Sequence, residues 1–308
     1  MKTIAAPAEL DATSHKVCLA IGVFDGVHLG HQQVIRQTVS DAQRHGAISV
    51  VITFDRHPNS VVAPERTPPL IYSLPQKIRV IASLGAEATY LIPFDRAFSE
   101  QSGETFVRGL AQGFRQIHSI CVGSNFTFGH RRSANVALLK ALGQELNFVV
   151  HGLAAVSLDG KIVSSTRIRE AIQNGNLDAA SQMLGRAYSV AGTVRRGDQL
   201  GRQLGFPTAN LDVADLALPP DGVYAVHARM QNSAHRAVVN MGHRPTVQSS
   251  ELRKRFEVHL LDFDADLYGE EIEVTFVEKL RDEQRFPSFD ALKEQIALDV
   301  AAARQLFG

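Results

Sequence analysis

Two histidines three residues apart stand in Gly22-Val-Phe24-Asp25-Gly26-Val-His28-Leu-Gly30-His31, between an apolar run and a helical pattern. At a helix start both rings can face one anion, because the exposed backbone N–H groups there already favour negative charge. Imidazole donors in that position suit a phosphate under attack, where they stabilise the charge that develops. Asp25-Gly26 is turn chemistry, and Gly30 lets backbone come close to a ligand. Histidines at i and i+3 also suit zinc, but no third ligand is obvious nearby. A plain structural turn with two surface histidines is the bland alternative.

Three more polar clusters sit where chemistry is expected. Thr53-Phe54-Asp55-Arg56-His57-Pro58 ends an apolar, β-branched run, as does Gly123-Ser-Asn125-Phe126-Thr-Phe128-Gly129. Asp55 and His57 suit a site, or simply cap nearby backbone. Phe126 and Phe128 share a side if extended and can line a flat aromatic ligand, although phenylalanines are more often core. Ser164-Ser165-Thr166-Arg167-Ile-Arg169 opens a helix. Hydroxyls there are ordinary caps, but two arginines oppose the helix dipole, and an anionic ligand offsets that cost.

The second half carries Gly197-Asp-Gln-Leu-Gly201-Arg202-Gln-Leu-Gly205-Phe206-Pro207-Thr208-Ala-Asn210. Glycines four apart make a loop whose N–H groups can cradle phosphates. Thr208 and Asn210 offer hard oxygens suited to Mg²⁺. The P-loop pattern is absent, and a Gly-rich hairpin is the bland reading. Asn240-Met-Gly242-His243-Arg244-Pro245-Thr246 follows. Glu257 then stands in the apolar strand Arg255–Leu260, sharing a face with His259 by alternation.

The elements that must hold these groups fall into two patterns. Strands at Lys16–Phe24, Ala47–Phe54, Thr89–Pro93, Ile117–Val122 and Asn147–His151 alternate with helices at Gly30–His45, Leu74–Leu84, Phe98–Phe114 and Val136–Leu146. That alternation predicts an α/β domain with a parallel, Rossmann-like sheet, its ligands beyond the carboxyl ends of the strands. Short helices follow at Thr166–Asn174 and Leu177–Leu184. Then come strands at Tyr188–Val194, Val223–Arg229, His235–Met241, Arg255–Leu261 and Glu271–Phe276, without intervening helices. They predict a small antiparallel β-barrel or sandwich closed by the amphipathic helix Phe289–Leu306. The domains are expected at 1–185 and 186–308.

Composition narrows the partners. The 308 residues carry 32 Lys+Arg and 32 Asp+Glu. A zero formal charge argues against a nucleic-acid coat or a polybasic membrane binder. Cys18 and Cys121 are too few for a disulfide framework, which points to the reducing cytoplasm. The first residues lack the apolar segment of a signal peptide, and no apolar run reaches the ~20 residues of a membrane helix.

Taken in order, these segments resemble the bacterial bifunctional riboflavin kinase/FAD synthetase family. The first half is similar to its FMN adenylyltransferase module, a member of the nucleotidyltransferase superfamily with the H-x-G-H signature. The second is similar to its riboflavin kinase module, whose G-R-x-L-G-F-P-T-A-N motif is intact here. The resemblance implies FMN from riboflavin and ATP, then FAD from FMN and ATP, with Mg²⁺ as cofactor. It implies Glu257 as the kinase base and Thr208 and Asn210 as Mg²⁺-ATP ligands. It places His28, His31, Gly22, Phe24, Asp25, Gly30, Ser164, Thr166 and Arg169 at the adenylyl-transfer phosphates. Gly201, Arg202 and Gly205 fall to the kinase ATP, and Phe54, His57, Asn125, Phe126 and Phe128 to the flavin. Two stretches depart from the family pattern: Arg56 replaces a usual Pro, and residues 130–135 lack a Gly and an Asp. An adenylyltransferase for pantetheine or a nicotinamide nucleotide, and a non-catalytic flavin-binding protein, are the rival readings.

Overall fold

The computed structural model describes residues 1–10, 16–197, 200–230, 233–244 and 253–308. Contacts divide the chain into two units. One comprises Met1–Leu70, Leu74–Arg167 and Met183–Gly185, and the other Ile71–Ser73, Ile168–Gln182 and Arg186–Gly308.

The first unit is built on a parallel sheet. Its strands are β1 (Lys2–Ile4), β2 (Val17–Ile21), β3 (Ile48–Phe54), β4 (Ala88–Ile92), β5 (Ile117–Gly123) and β6 (Val149–Leu153). Their order is β1-β4-β3-β2-β5-β6. Every residue of β2 is buried. Val17, Leu19 and Ile21 enter one apolar cluster, while Ala20 enters another. A strand apolar on both faces is what a sheet covered by helices on both sides requires. Those helices include α1 (Leu29–His45), α2 (Leu74–Ser83), α3 (Gly103–Phe114) and α4 (Val136–Leu146). Strand order reverses between β2 and β5, so the crevice beyond their carboxyl ends is where a ligand fits best.

Two expectations for this unit needed revision. The helix expected over Phe98–Phe114 is broken into Arg96–Ser99 and α3. Ser102 stops it, because its hydroxyl accepts the Thr105 N–H and starts a new helix. Strand β1 was not anticipated. Three residues are too few to show a period, and its pairing with β4 exists only in the fold.

The second unit is a closed antiparallel barrel in the order β7-β8-β11-β10-β9-β12. These strands are β7 (Ser189–Arg195), β8 (Ala209–Leu211), β9 (Gly222–Met230), β10 (Ser233–Arg244), β11 (Arg253–Leu260) and β12 (Glu271–Arg281). In β11, Phe256, Val258 and Leu260 are buried, while Arg255, Glu257 and His259 alternate with them. Helices α5 (Ser165–Gln173) and α6 (Leu177–Leu184) precede the barrel, and α7 (Phe289–Phe307) follows it. Ser288 caps α7 by accepting the Ala291 N–H. The sequence presents Ala209–Leu211 as part of a glycine-rich loop, whereas it is a barrel strand between β7 and β11.

Candidate active sites

In the first unit the chain leaves β2 through a compressed turn. Phe24 has φ 53° and is 1% exposed. A Cβ on Gly22 would lie 2.9 Å from the Phe24 ring, so this position needs glycine. His28 then caps α1, its Nδ1 accepting the His31 N–H at 3.4 Å. The His28 and His31 rings stack at 3.6 Å between centroids, and Phe24 meets His31 edge-on at 5.3 Å. The two histidines therefore act as one imidazole pair at a helix start, with Phe24 bracing it from the core. Asp25 is buried, and its carbonyl accepts the Ser165 hydroxyl at 3.0 Å. Ser164 caps α5 by accepting the Arg167 N–H. Thr166 is exposed, and Arg169 is buried in the segment that groups with the second unit.

Beyond the ends of β3 and β5 lies a cavity of about 670 Å³. Phe54, His57, Phe126 and Phe128 line it, as does Val23 of the turn. Phe126 and Phe128 stack at 5.1 Å, and Phe54 meets Phe94 and Phe98. A flat aromatic ligand matches such walls. Asn125 is exposed and does not line this cavity, and neither do His28 and His31. The sequence reading missed Phe94, Phe98 and Phe106, which complete the aromatic wall. Phe94 follows the end of β4, so the strand-end rule pointed to it.

The two departures from the family pattern fare differently. Arg56 pairs with Asp55 at 2.9 Å and does not line the cavity. Partial burial would raise the Asp55 carboxyl, but hydrogen bonds from Arg56 and from the Phe94 N–H hold it below the usual range. His57 caps local backbone by accepting the Asn59 N–H, whereas Asp55 holds the backbone beyond β4 at Phe94. Arg131 and Arg132, by contrast, line the cavity, with φ 53° and 55°. Side chains rarely hold that conformation without a cost.

Lys77 of α2 is a further residue that sequence reasoning missed. It is 7% exposed and reaches the ends of β2 and β3. Burial pulls its ammonium down to about 8, with Asp25 and Asp55 opposing that shift.

In the second unit, strand pairing assembles the polar groups. Asn210 of β8 stands opposite Glu257 of β11, and Asn240 of β10 stands opposite Glu257 on its other side. Directly opposed residues project to one face, so the three make a polar row. A cavity of about 260 Å³ is lined by Gly201, Thr208, Asn240, Arg255, Glu257 and His259. The Glu257 carboxylate is ion-paired with Arg255. A second cavity of about 580 Å³ is lined by Arg202, Pro207, Thr208, Phe263, Asp266 and Tyr268. Thr208 borders both. Gly205 is exposed, and Asn210 lines neither cavity. A Cβ on Gly197 would lie 2.3 Å from the Asn210 side chain, so Gly197 leaves that side chain its space. Asp198 and Gln199 of the glycine-rich loop lie outside the described residues. So do Pro245 and Thr246 of the stretch after β10.

The oxygens of Thr208 and Asn210 suit a magnesium ion that arrives with nucleotide phosphates, because Mg²⁺ takes few protein ligands. Among the described residues, no cluster of three or more His, Cys, Asp or Glu is arranged to hold a metal.

A family profile described as FAD synthetase matches residues 10–167, and one described as riboflavin kinase matches 184–307. A relative from Haemophilus influenzae is 38% identical over 290 residues, 94% of each chain. One from Escherichia coli K12 is 36% identical over 310 residues, covering 100% of this chain and 98% of its own. Both carry the name bifunctional riboflavin kinase/FMN adenylyltransferase. A solved structure titled macrolide-efflux protein, from Streptococcus pneumoniae, aligns with TM-score 0.81 and 30% identity over 98% of both chains. Among the described residues no helix is long and apolar enough to cross a membrane. Two family profiles in tandem, full-length relatives and an imidazole pair and polar row within the matched segments agree: the chain belongs to the bifunctional riboflavin kinase/FMN adenylyltransferase family.

Proposed function

We propose that this chain phosphorylates riboflavin to FMN in its C-terminal domain and adenylylates FMN to FAD in its N-terminal domain, with the boundary at residues 185/186. The observation that carries the kinase reading is Thr208, which borders two cavities. Riboflavin occupies the one that holds Glu257, and ATP the one that holds Arg202. Glu257 accepts the proton of the ribityl 5′-hydroxyl, the oxygen attacks the γ-phosphorus, and ADP leaves. When bound, Mg²⁺ neutralises phosphate charge, and Thr208 and Asn210 hold it. Gly201 and Gly205 let the loop backbone approach the phosphates.

In the N-terminal domain, the aromatic cavity takes the isoalloxazine ring. The FMN phosphate is already ionised, so attack on the α-phosphorus of ATP needs no base, and pyrophosphate leaves. His28 and His31 donate to the phosphates as charge develops. Gly22, Asp25 and Gly30 shape the turn that presents them, and Ser164 and Thr166 complete the anion site. ATP as donor in both steps places the working enzyme in the cytoplasm.

The test is direct. Protein, riboflavin and Mg²⁺-ATP are mixed, and the flavins are separated by chromatography over time. FMN that rises and then gives way to FAD is expected. Flavin binding without product would overturn the catalytic reading, and FMN without FAD would overturn its adenylyl half.

A further inference from the structure

Resting on the adenylyl-transfer reading of the first unit, we infer that Lys77 is a positioning residue for that step: it sets the spacing between the turn that carries His28 and His31 and the aromatic wall that holds the flavin. Its ammonium donates to the Phe54 carbonyl at 2.9 Å, to the Thr53 Oγ1 at 3.2 Å and to the Val23 carbonyl at 3.4 Å. The Thr53 hydroxyl in turn donates to the Val23 carbonyl at 2.9 Å. These acceptors belong to the chain just beyond β2 and to the last two residues of β3. Val23 immediately precedes Phe24, which opens the histidine turn with its left-handed φ. The Phe54 ring lines the cavity. One side chain therefore ties the phosphate turn to the flavin wall.

A lysine this deep is costly unless its charge and protons are satisfied. Three acceptors and the fields of Asp25 and Asp55 do that. The three acceptors match the three protons of the ammonium. An apolar residue of the same length would fill the volume but take the ammonium away from the Phe54 carbonyl and leave the Val23 carbonyl to the Thr53 hydroxyl alone. The strand ends would then shift relative to each other, and misplacement of about 1 Å between reacting groups costs roughly 10²-fold in rate.

The experiment compares Lys77→Met and Thr53→Val with the wild-type full chain, and measures FAD formation from FMN and FMN formation from riboflavin separately. Wild-type FAD formation is checked first, and its failure would sink the adenylyl reading itself. Given that activity, Lys77→Met is expected to lower kcat for FAD formation about 100-fold. The KM values for FMN and ATP should move little, and FMN formation should be unchanged. Thr53→Val removes two links, the one from Lys77 and the one to the Val23 carbonyl, without removing the cation, and should lower the same kcat by a smaller factor. Wild-type kcat in both variants would overturn the assignment while leaving the adenylyl reading intact. So would a loss carried by KM alone, or one shared equally with the kinase activity.

Discussion

The glycine-rich loop of the barrel offers a sharp test, because one added methyl group has nowhere to go. A Cβ on Gly201 would lie 2.5 Å from the Phe206 carbonyl oxygen, and 3.2 and 3.3 Å from the Thr208 Oγ1 and Cγ2. The first contact is with backbone, which cannot rotate away. The loop is also closed by the Phe206 N–H donating to the Gly201 carbonyl at 2.8 Å. Relief in Gly201→Ala must therefore move Phe206–Thr208, and Thr208 borders both of the barrel cavities assigned above to riboflavin and ATP. Overpacking of this kind costs roughly 1–3 kcal/mol. If that cost falls on the catalytic geometry, kcat/KM for riboflavin phosphorylation drops about 5- to 150-fold. FAD formation from supplied FMN is the internal control and should stay at the wild-type rate. A kinase activity within twofold of wild type would refute the reasoning, since it would mean that the loop yields without disturbing Thr208.

Glu257→Gln keeps the shape of the row but removes the base, and should lower FMN formation by about 10²–10⁴-fold while FAD formation from FMN persists. Equal loss of both activities would refute the division of labour. His28→Ala combined with His31→Ala should do the reverse, and an unchanged FAD rate would remove the pair from the phosphate site. Asp299→Ala strips Arg281 of a carboxylate that it grips through Nε at 2.9 Å and Nη2 at 2.8 Å. These side chains are 19% and 6% exposed, so breaking the pair should cost roughly 3 kcal/mol. The kinase activity should then be lost at a lower temperature on heating than in the wild type, and an unchanged inactivation midpoint would count against that cost.

How much was legible depended on whether a residue's role is local. The His28–His31 pair was readable because a helix start fixes both rings within one turn, and α1 does begin at Leu29 with His28 as its cap. Phe126 and Phe128 were readable because alternation put them on one side, and they do stack. Asn125, which the resemblance assigned to the flavin with them, is exposed and does not line that cavity. Lys77 was hidden for the opposite reason. On α2 it reads as one more polar position in a helix, and only the fold brings it to the ends of two strands that come earlier in the chain.

The polar row of the barrel marks the same boundary within a single site. Alternation along β11 shows that Glu257 leaves the core face, and it goes no further. Whether Glu257 meets Asn210 and Asn240 depends on register, and a one-residue slip would put each neighbour on the other face. The pairing places Ala209 opposite Val258 and Asn210 opposite Glu257. It is specified by Ala209 and Val258 both being buried, so apolar packing on one face aligns the polar groups on the other. The three-residue strand that achieves this was read as loop, because its chemistry, Thr208 and Asn210 flanking Ala209, looks like ligand binding rather than like a strand. The alternation that buries Ala209 also turns Thr208 and Asn210 to the face that carries Glu257.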